Sequence, residues 1–156
     1  MKNNINIFLW FDNQAEEAAR FYTSIFKNSK IDNISYYGKE GFEIHGQKEG
    51  TVMTISFQIN GLTFTALNGG PLFKFNEAIS LQVFCDTQQE IDHHWSMLTD
   101  GGEESQCGWL KDKFGLSWQI VPSILSTLLS DPSKAGKVTN AFLQMKKFDI
   151  EKLLKI

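Results

Sequence analysis

The chain has 156 residues, with 15 Lys and Arg against 18 Asp and Glu, a net charge of −3. That length holds one domain, or one domain made of two fused halves, and excludes two large independent domains. No block of like charge occurs, which disfavours nucleic-acid binding through a basic face, and the longest unbroken apolar run, residues 7–11, is far short of the roughly 20 residues that cross a bilayer.

Residues 5–11 are apolar and β-rich and end at Asp12-Asn13, with Glu16 three residues beyond Asn13, so a strand is predicted to hand over to a capped helix. Ala15, Ala18, Ala19, Tyr22, Ile25 and Phe26 then recur with the spacing of a helix that buries one face, closed by Asn28-Ser29. Residues 31–37 read as a strand, and residues 38–50, polar and punctuated by glycine, as a long loop or hairpin. Residues 52–59 and 62–67 are two β-rich runs joined by Asn60-Gly61, a strong hairpin signal.

After Gly69-Gly70-Pro71 the pattern restarts. Residues 78–85 form a strand ending at Asp86, and Thr87 with Glu90 makes a capping box. Ile91, His94, Trp95 and Leu98 mark the buried side of a second helix that stops at Asp100-Gly101-Gly102. Short strands are predicted over 103–107, 109–113 and 116–121, the last cut off by Pro122. A short helix over 124–129 follows, then one opened by Asp131-Pro132 with Ala135, Val138, Phe142 and Met145 on its apolar face. Asp149 caps a last turn or two carrying Ile150, Leu153 and Leu154.

The two halves match. A strand ending in Asp and leading into an amphipathic helix occurs at Asp12 and again at Asp86, and residues 61–67 and 115–121 place small, aromatic and aliphatic residues at the same offsets. This reads as an internal duplication. The expected architecture is one α+β domain over 1–156, built from a first βαβββ module (1–70), a second (76–122) and a C-terminal helical extension (123–156), the modules forming a curved mixed sheet.

Several stretches resemble the PhnB-like group of the vicinal oxygen chelate superfamily, which includes glyoxalase I, ring-opening dioxygenases and bleomycin-resistance proteins. Members of the group often bear the name 3-demethylubiquinone-9 3-methyltransferase. The resemblance lies in Phe8-Leu9-Trp10-Phe11-Asp12 with residues 15–22, in residues 79–83, in Gly101-Gly102-Glu103-Glu104, in residues 106–112, and in residues 114–122. It implies the duplicated fold, a ligand cavity on the sheet and a homodimer. In metal-using members each half supplies ligands from its first and last strands, and carrying those positions over gives Ile5, Thr65, Ile79 and Gln119. Ile ligates nothing and neutral Thr and Gln oxygens hold a divalent ion poorly, so neither a metal nor another cofactor is expected. Methyl transfer is not expected either, because neither Gly69-Gly70 nor Gly101-Gly102 is predicted between a parallel strand and a helix, where an adenosyl donor usually sits.

Twenty aromatic residues favour a dense aromatic core or an aromatic-lined cavity. Trp10, Phe57, Phe64, Trp109 and Trp118, with polar Gln119 and Thr65, are the candidates for an apolar pocket, against the alternative of a filled core beneath the helices. Cys107 is a candidate nucleophile, with a small packed thiol as its alternative, and Asp112 and Glu103 are candidate bases near the pocket mouth. Cys85 lies in an apolar strand and reads as core. Two cysteines without an export signal read as free thiols of a cytoplasmic protein. Adjacent His93 and His94 point apart on a helix and cannot share a metal, and His45 reads as a solvated loop residue.

The expected function is metal-independent binding of a small, partly apolar molecule, with no nucleic-acid or membrane partner. A metal-dependent glyoxalase- or dioxygenase-type enzyme and a drug-sequestering resistance protein are the alternatives, and whether any reaction is catalysed stays open.

Overall fold

A computed structural model describes residues 5–156. It divides into two compact units, one ending at Lys74 and the other running from Phe75 to Ile156.

In the first unit β1 (Ile7–Phe11), α1 (Ala15–Ile25), β2 (Ser29–Tyr36), the single turn α2 (Phe42–His45), β3 (Val52–Ile59) and β4 (Leu62–Asn68) follow in order. The sheet order is β1-β4-β3-β2, with β1 parallel to β4 and the other pairs antiparallel. Asn60 and Gly61 both take positive φ, 47° and 82°, as the tight hairpin between β3 and β4 requires. Alternation along the strands sends Leu9, Phe11, Ile55, Phe57, Ile59, Phe64 and Ala66 to one face, where all are buried. The stripe Ala15, Ala18, Ala19, Tyr22 and Ile25 of α1 packs on that face; its three alanines let the helix lie close to the sheet. The start of α1 differs from the expectation. Its cap residue is Gln14, which makes no side-chain capping bond, and the Ala15 amide is satisfied by Asn68 Oδ1 of β4 at 2.8 Å. Glu16 pairs with Arg20 one turn on. A tertiary acceptor thus does the work that a local Asn13–Glu16 box was expected to do.

The second unit repeats the plan with β5 (Leu81–Cys85), α3 (Gln88–Thr99), β6 (Glu103–Glu104), β7 (Trp109–Lys111) and β8 (Ser117–Pro122), in sheet order β5-β8-β7-β6. Here β5 and β8 are parallel, and Thr87 and Glu90 form the reciprocal capping box at the start of α3. Ile91, Trp95 and Leu98 of α3 are buried with Leu110, Trp118 and Ile120 of the sheet. The duplicated α+β architecture read from the sequence is therefore present, as two four-stranded mixed sheets followed by helices α4 (Leu125–Ser130), α5 (Ala135–Phe142) and α6 (Ile150–Leu154). Pro132 lies in the turn before α5 rather than at its first position; the Asp131 carbonyl accepts from both Lys134 and Ala135, which starts the helix three residues later. Gln88 of α3 ties down the C-terminal segment, its Nε2 donating to the Phe148 carbonyl at 3.1 Å and its Oε1 accepting from the Ile150 amide at 2.9 Å.

Cys85 is 1% exposed, and burial, reinforced by the Glu90 and Asp86 carboxylates, pushes its thiol up to about 12. The folded state thus favours the protonated thiol. Its contribution to stability is complete below the ordinary thiol range and lost as pH rises from about 9 towards 12. Thiol titration of the native protein at pH 8 is expected to find one reactive cysteine, Cys107, which is only partly buried, and two after denaturation.

Candidate functional site

The face of the second sheet turned away from α3 carries Gln82 and Phe84 of β5, Trp109 and Lys111 of β7, and Ser117, Gln119 and Val121 of β8. Trp109 stands opposite Gln119 and Lys111 opposite Ser117, while Glu103 of β6 stands opposite Lys111. Against the β6–β7 side of this face lies an open cavity of about 470 Å³, lined by residues that include Glu77, Glu103, Cys107, Trp109, Lys111 and Ser117.

Its electrostatics centre on Lys111. The ammonium forms an ion pair with Glu77, from the irregular segment ahead of β5, and that hydrogen bond raises the lysine and lowers the glutamate relative to their ordinary ranges. Glu103 adds negative potential at the same ammonium. Glu104 points to the other side of the sheet, where the Trp95 indole N–H donates to it at 2.8 Å and holds its carboxyl below the usual range, with Lys146 3.6 Å away. Ser117 is 0% exposed and its hydroxyl has no hydrogen-bond partner. Burying a hydroxyl without a partner is costly, and in native folds an unmatched one marks a place where something else binds or a cost is tolerated.

The residues expected to form the site are separated by the fold. Trp109 and Gln119 do meet on the open face, and Gln119 Nε2 donates to Ser80 Oγ at 2.8 Å. Trp10 lies on the corresponding open face of the first sheet, where its indole N–H donates to the Gly70 carbonyl at 2.8 Å and its ring meets Phe73 edge-on. Phe57, Phe64 and Trp118 instead belong to the core. The first two stack at 5.2 Å below Tyr22 of α1, and Trp118 lies under α3. The reason is strand parity: each is one residue out of phase with the open face.

Asp112 is likewise structural. It is 3% exposed, Oδ1 accepts from the Phe114 and Leu116 amides, Oδ2 accepts from the Trp118 indole at 2.8 Å, and the residue does not line the cavity, so the carboxylate serves the turn. Cys107 borders the cavity, but its thiol leans to the Phe142 carbonyl at 3.7 Å. His45 stacks on Tyr37, and His94 is half-buried on α3. Lys111, Ser117 and Glu77 were not singled out in the sequence. The alternation Trp109-Leu110-Lys111 held the signal for Lys111, because a residue two away from a face-lining Trp shares its face.

Parity also moves the positions at which kindred proteins hold a metal. Asn6 donates to Thr65 Oγ1 at 2.7 Å as Ser80 bonds Gln119, so the side chains beside Thr65 and Gln119 are Asn6 and Ser80. Ile5 and Ile79 fall on the opposite phase and are strongly exposed. Each unit thus offers a neutral pair, Asn6 with Thr65 in the first and Ser80 with Gln119 in the second, and neither pair fits a divalent ion in need of imidazole or carboxylate ligands. Among the described residues no group of three or more His, Cys, Asp or Glu is placed to hold a metal.

The family model described as 3-demethylubiquinone-9 3-methyltransferase matches residues 3–121 of this chain. The chain belongs to that family, the PhnB-like proteins. Among solved structures, this PhnB-like chain is similar to the putative 3-demethylubiquinone-9 3-methyltransferase, PhnB protein, of Bacillus cereus. The two are 38% identical, the match covers 78% of this chain and all of the other, and the TM-score is 0.69. It shares its fold with protein PA1353 of Pseudomonas aeruginosa, at 15% identity over 78% of this chain and 98% of that one, with a TM-score of 0.61. The fosfomycin resistance protein FosX of Listeria monocytogenes, solved with Mn(II) and sulfate, matches at 15% identity over 83% and 97% of the two chains, with a TM-score of 0.55. No curated protein matches the chain. Among the described residues no helix is long and apolar enough to cross a membrane.

Proposed function

We propose that this PhnB-like protein binds a small, partly apolar molecule in the cavity beside β7, using Trp109 as its apolar wall and Lys111, Ser117 and the neighbouring Gln119 as its polar groups, with no metal in the site. The cavity itself carries the reading. At about 470 Å³ it has the size of a metabolite site, and it sets the Trp109 indole beside Lys111, Ser117 and the Glu77 and Glu103 carboxylates, so that an apolar wall meets polar groups able to orient a small ligand. The neutral pair Ser80 and Gln119, at the positions carried over from metal-using relatives in this unit, supports the metal-free part of the proposal.

Untargeted mass spectrometry of gently purified protein is expected to find a copurifying small molecule that Trp109→Ala loses, with no stoichiometric Zn, Mn or Fe by elemental analysis. A tightly held metal whose loss abolishes ligand binding would overturn the metal-free reading. Retention of the ligand by Trp109→Ala would overturn the placement. Whether the ligand leaves unchanged or converted separates sequestration from catalysis.

The proposal extends to a homodimer. Strands β1 and β5 each end a sheet, and both carry an exposed aromatic, Phe8 at 57% and Phe84 at 64%. An unpaired edge beside exposed aromatic surface is a natural site for a second copy. Light scattering at micromolar concentration is expected to give twice the 17.8 kDa chain mass, and Phe8→Glu with Phe84→Glu is expected to give the monomer. A monomeric wild-type protein would contradict the assembly.

A further inference from the structure

We propose that the ligand is a small monocarboxylate with an aromatic or apolar body, its carboxylate taking the Lys111 ammonium over from Glu77 and accepting also from the Ser117 hydroxyl. This deepens the cavity reading and rests on it.

The argument starts from Ser117. Its hydroxyl is buried, lines the cavity and has no partner, although Lys111 stands directly opposite it in the β7–β8 register. A hydroxyl and an ammonium carried by cross-strand partners are two donors on one face, and their common complement is an anionic oxygen. Glu77 supplies such an oxygen to Lys111 alone, and it does so from an irregular segment with its side chain 61% exposed. An exposed ion pair contributes little stability. Replacing the Glu77 carboxylate at Lys111 by a ligand carboxylate keeps the ammonium paired and adds the hydrogen bond that Ser117 lacks.

The charge around the seat limits what the anion can be. Among the described residues Lys111 is the one cation lining the cavity, against the carboxylates of Glu77, Glu103 and Glu104, and Glu103 faces it from β6. A displaced Glu77 would stay nearby as a second free carboxylate. The lining is therefore net negative: the ammonium can exchange the charge of Glu77 for one ligand charge and no more, and a phosphate dianion would meet added repulsion. The rest of the ligand meets the Trp109 indole, which suits a ring or a short alkyl body.

The test is a titration of ¹⁵N-labelled full-length protein with benzoate, benzylamine and benzyl alcohol at constant ionic strength. The indole N–H signal of Trp109, assigned with Trp109→Phe, is the reporter. Benzoate is expected to bind at least several-fold more tightly than the other two. Lys111→Met is expected to weaken benzoate about tenfold or more, and Ser117→Ala by about three- to tenfold, as loss of a hydrogen bond to a charged group predicts. Glu77→Gln, an exposed change that spares the fold, is expected to tighten benzoate by removing its competitor. Ser117→Ala should also raise the melting temperature of the free protein, because it deletes a buried group that nothing satisfies.

If benzylamine or benzyl alcohol shifts Trp109 while benzoate does not, the carboxylate inference fails and the cavity reading stands. If none of the three moves Trp109, both fail. Benzoate affinity unchanged in Lys111→Met and Ser117→Ala, or weakened in Glu77→Gln, would also overturn the seat.

Discussion

Asp112→Ala is expected to destabilise the protein by about 3–5 kcal/mol, since it strands buried donors that each cost roughly 1–3 kcal/mol when left unmatched. The β7–β8 connection is built around this one side chain. Oδ1 accepts from the Phe114 amide at 2.9 Å and the Leu116 amide at 3.1 Å, and Oδ2 accepts from the Trp118 indole at 2.8 Å. The Asp112 amide in turn donates to the Leu116 carbonyl, and Gly115 donates to the Asp112 carbonyl. Alanine removes both side-chain acceptors, and with them three hydrogen bonds, while Leu116 and Trp118 stay enclosed, each at most 2% exposed. Asparagine keeps an oxygen for one side of the turn and loses the other acceptor, so Asp112→Asn should fall between wild type and alanine. Denaturant unfolding with an unchanged m-value would measure both. A loss below 1 kcal/mol for Asp112→Ala would show that the turn does not depend on this group. Trp118→Phe should recover part of the loss in a double-mutant cycle, because it removes one of the donors stranded by alanine.

Gly108→Ala is expected to cost about 2–5 kcal/mol, for a steric reason. Gly108 has φ of +80°, in the left-handed region that penalises a side chain by roughly 1–2 kcal/mol. A Cβ there would also lie 2.7 Å from the Ile120 carbonyl oxygen and 2.5 Å from the Phe148 ring. Neither can yield easily, because the Gly108 carbonyl accepts from the Ile120 amide and the Gly108 amide donates to the Lys146 carbonyl. Overpacking of this kind costs about 1–3 kcal/mol more. Gly61→Ala is the control. Its φ is +82°, yet nothing lies within 4 Å of the added carbon, so it should lose only the conformational part. Equal losses at the two positions would remove packing from the explanation. Since Gly108 adjoins Cys107 and Trp109 on the cavity wall, Gly108→Ala should also disturb the Trp109 indole signal.

The outline of the fold was legible in the residues because its signals are local. Asn60-Gly61 between two β-rich runs specifies a hairpin, Thr87 with Glu90 specifies a helix start, and the alanine-rich stripe of α1 specifies a helix with one buried side. The start of α1 was not legible, because its amide is satisfied by Asn68, 53 residues away in sequence. A side-chain acceptor supplied across a sheet leaves no mark on neighbouring residues.

The sites divide in the same way. Sequence alone determined the duplicated α+β plan, the family, and the aromatic supply from which core and cavity are drawn. Tertiary structure decided which aromatics go where, since strand phase relative to the covering helix is settled only when the strands pair. A shift of one residue exchanges the two faces, which sends Phe57, Phe64 and Trp118 into the core, leaves Trp109 on the open face, and replaces Ile5 and Ile79 by Asn6 and Ser80 beside Thr65 and Gln119. It also brought Lys111, Ser117 and Glu77 to one wall, a meeting of separate segments that no local spacing encodes.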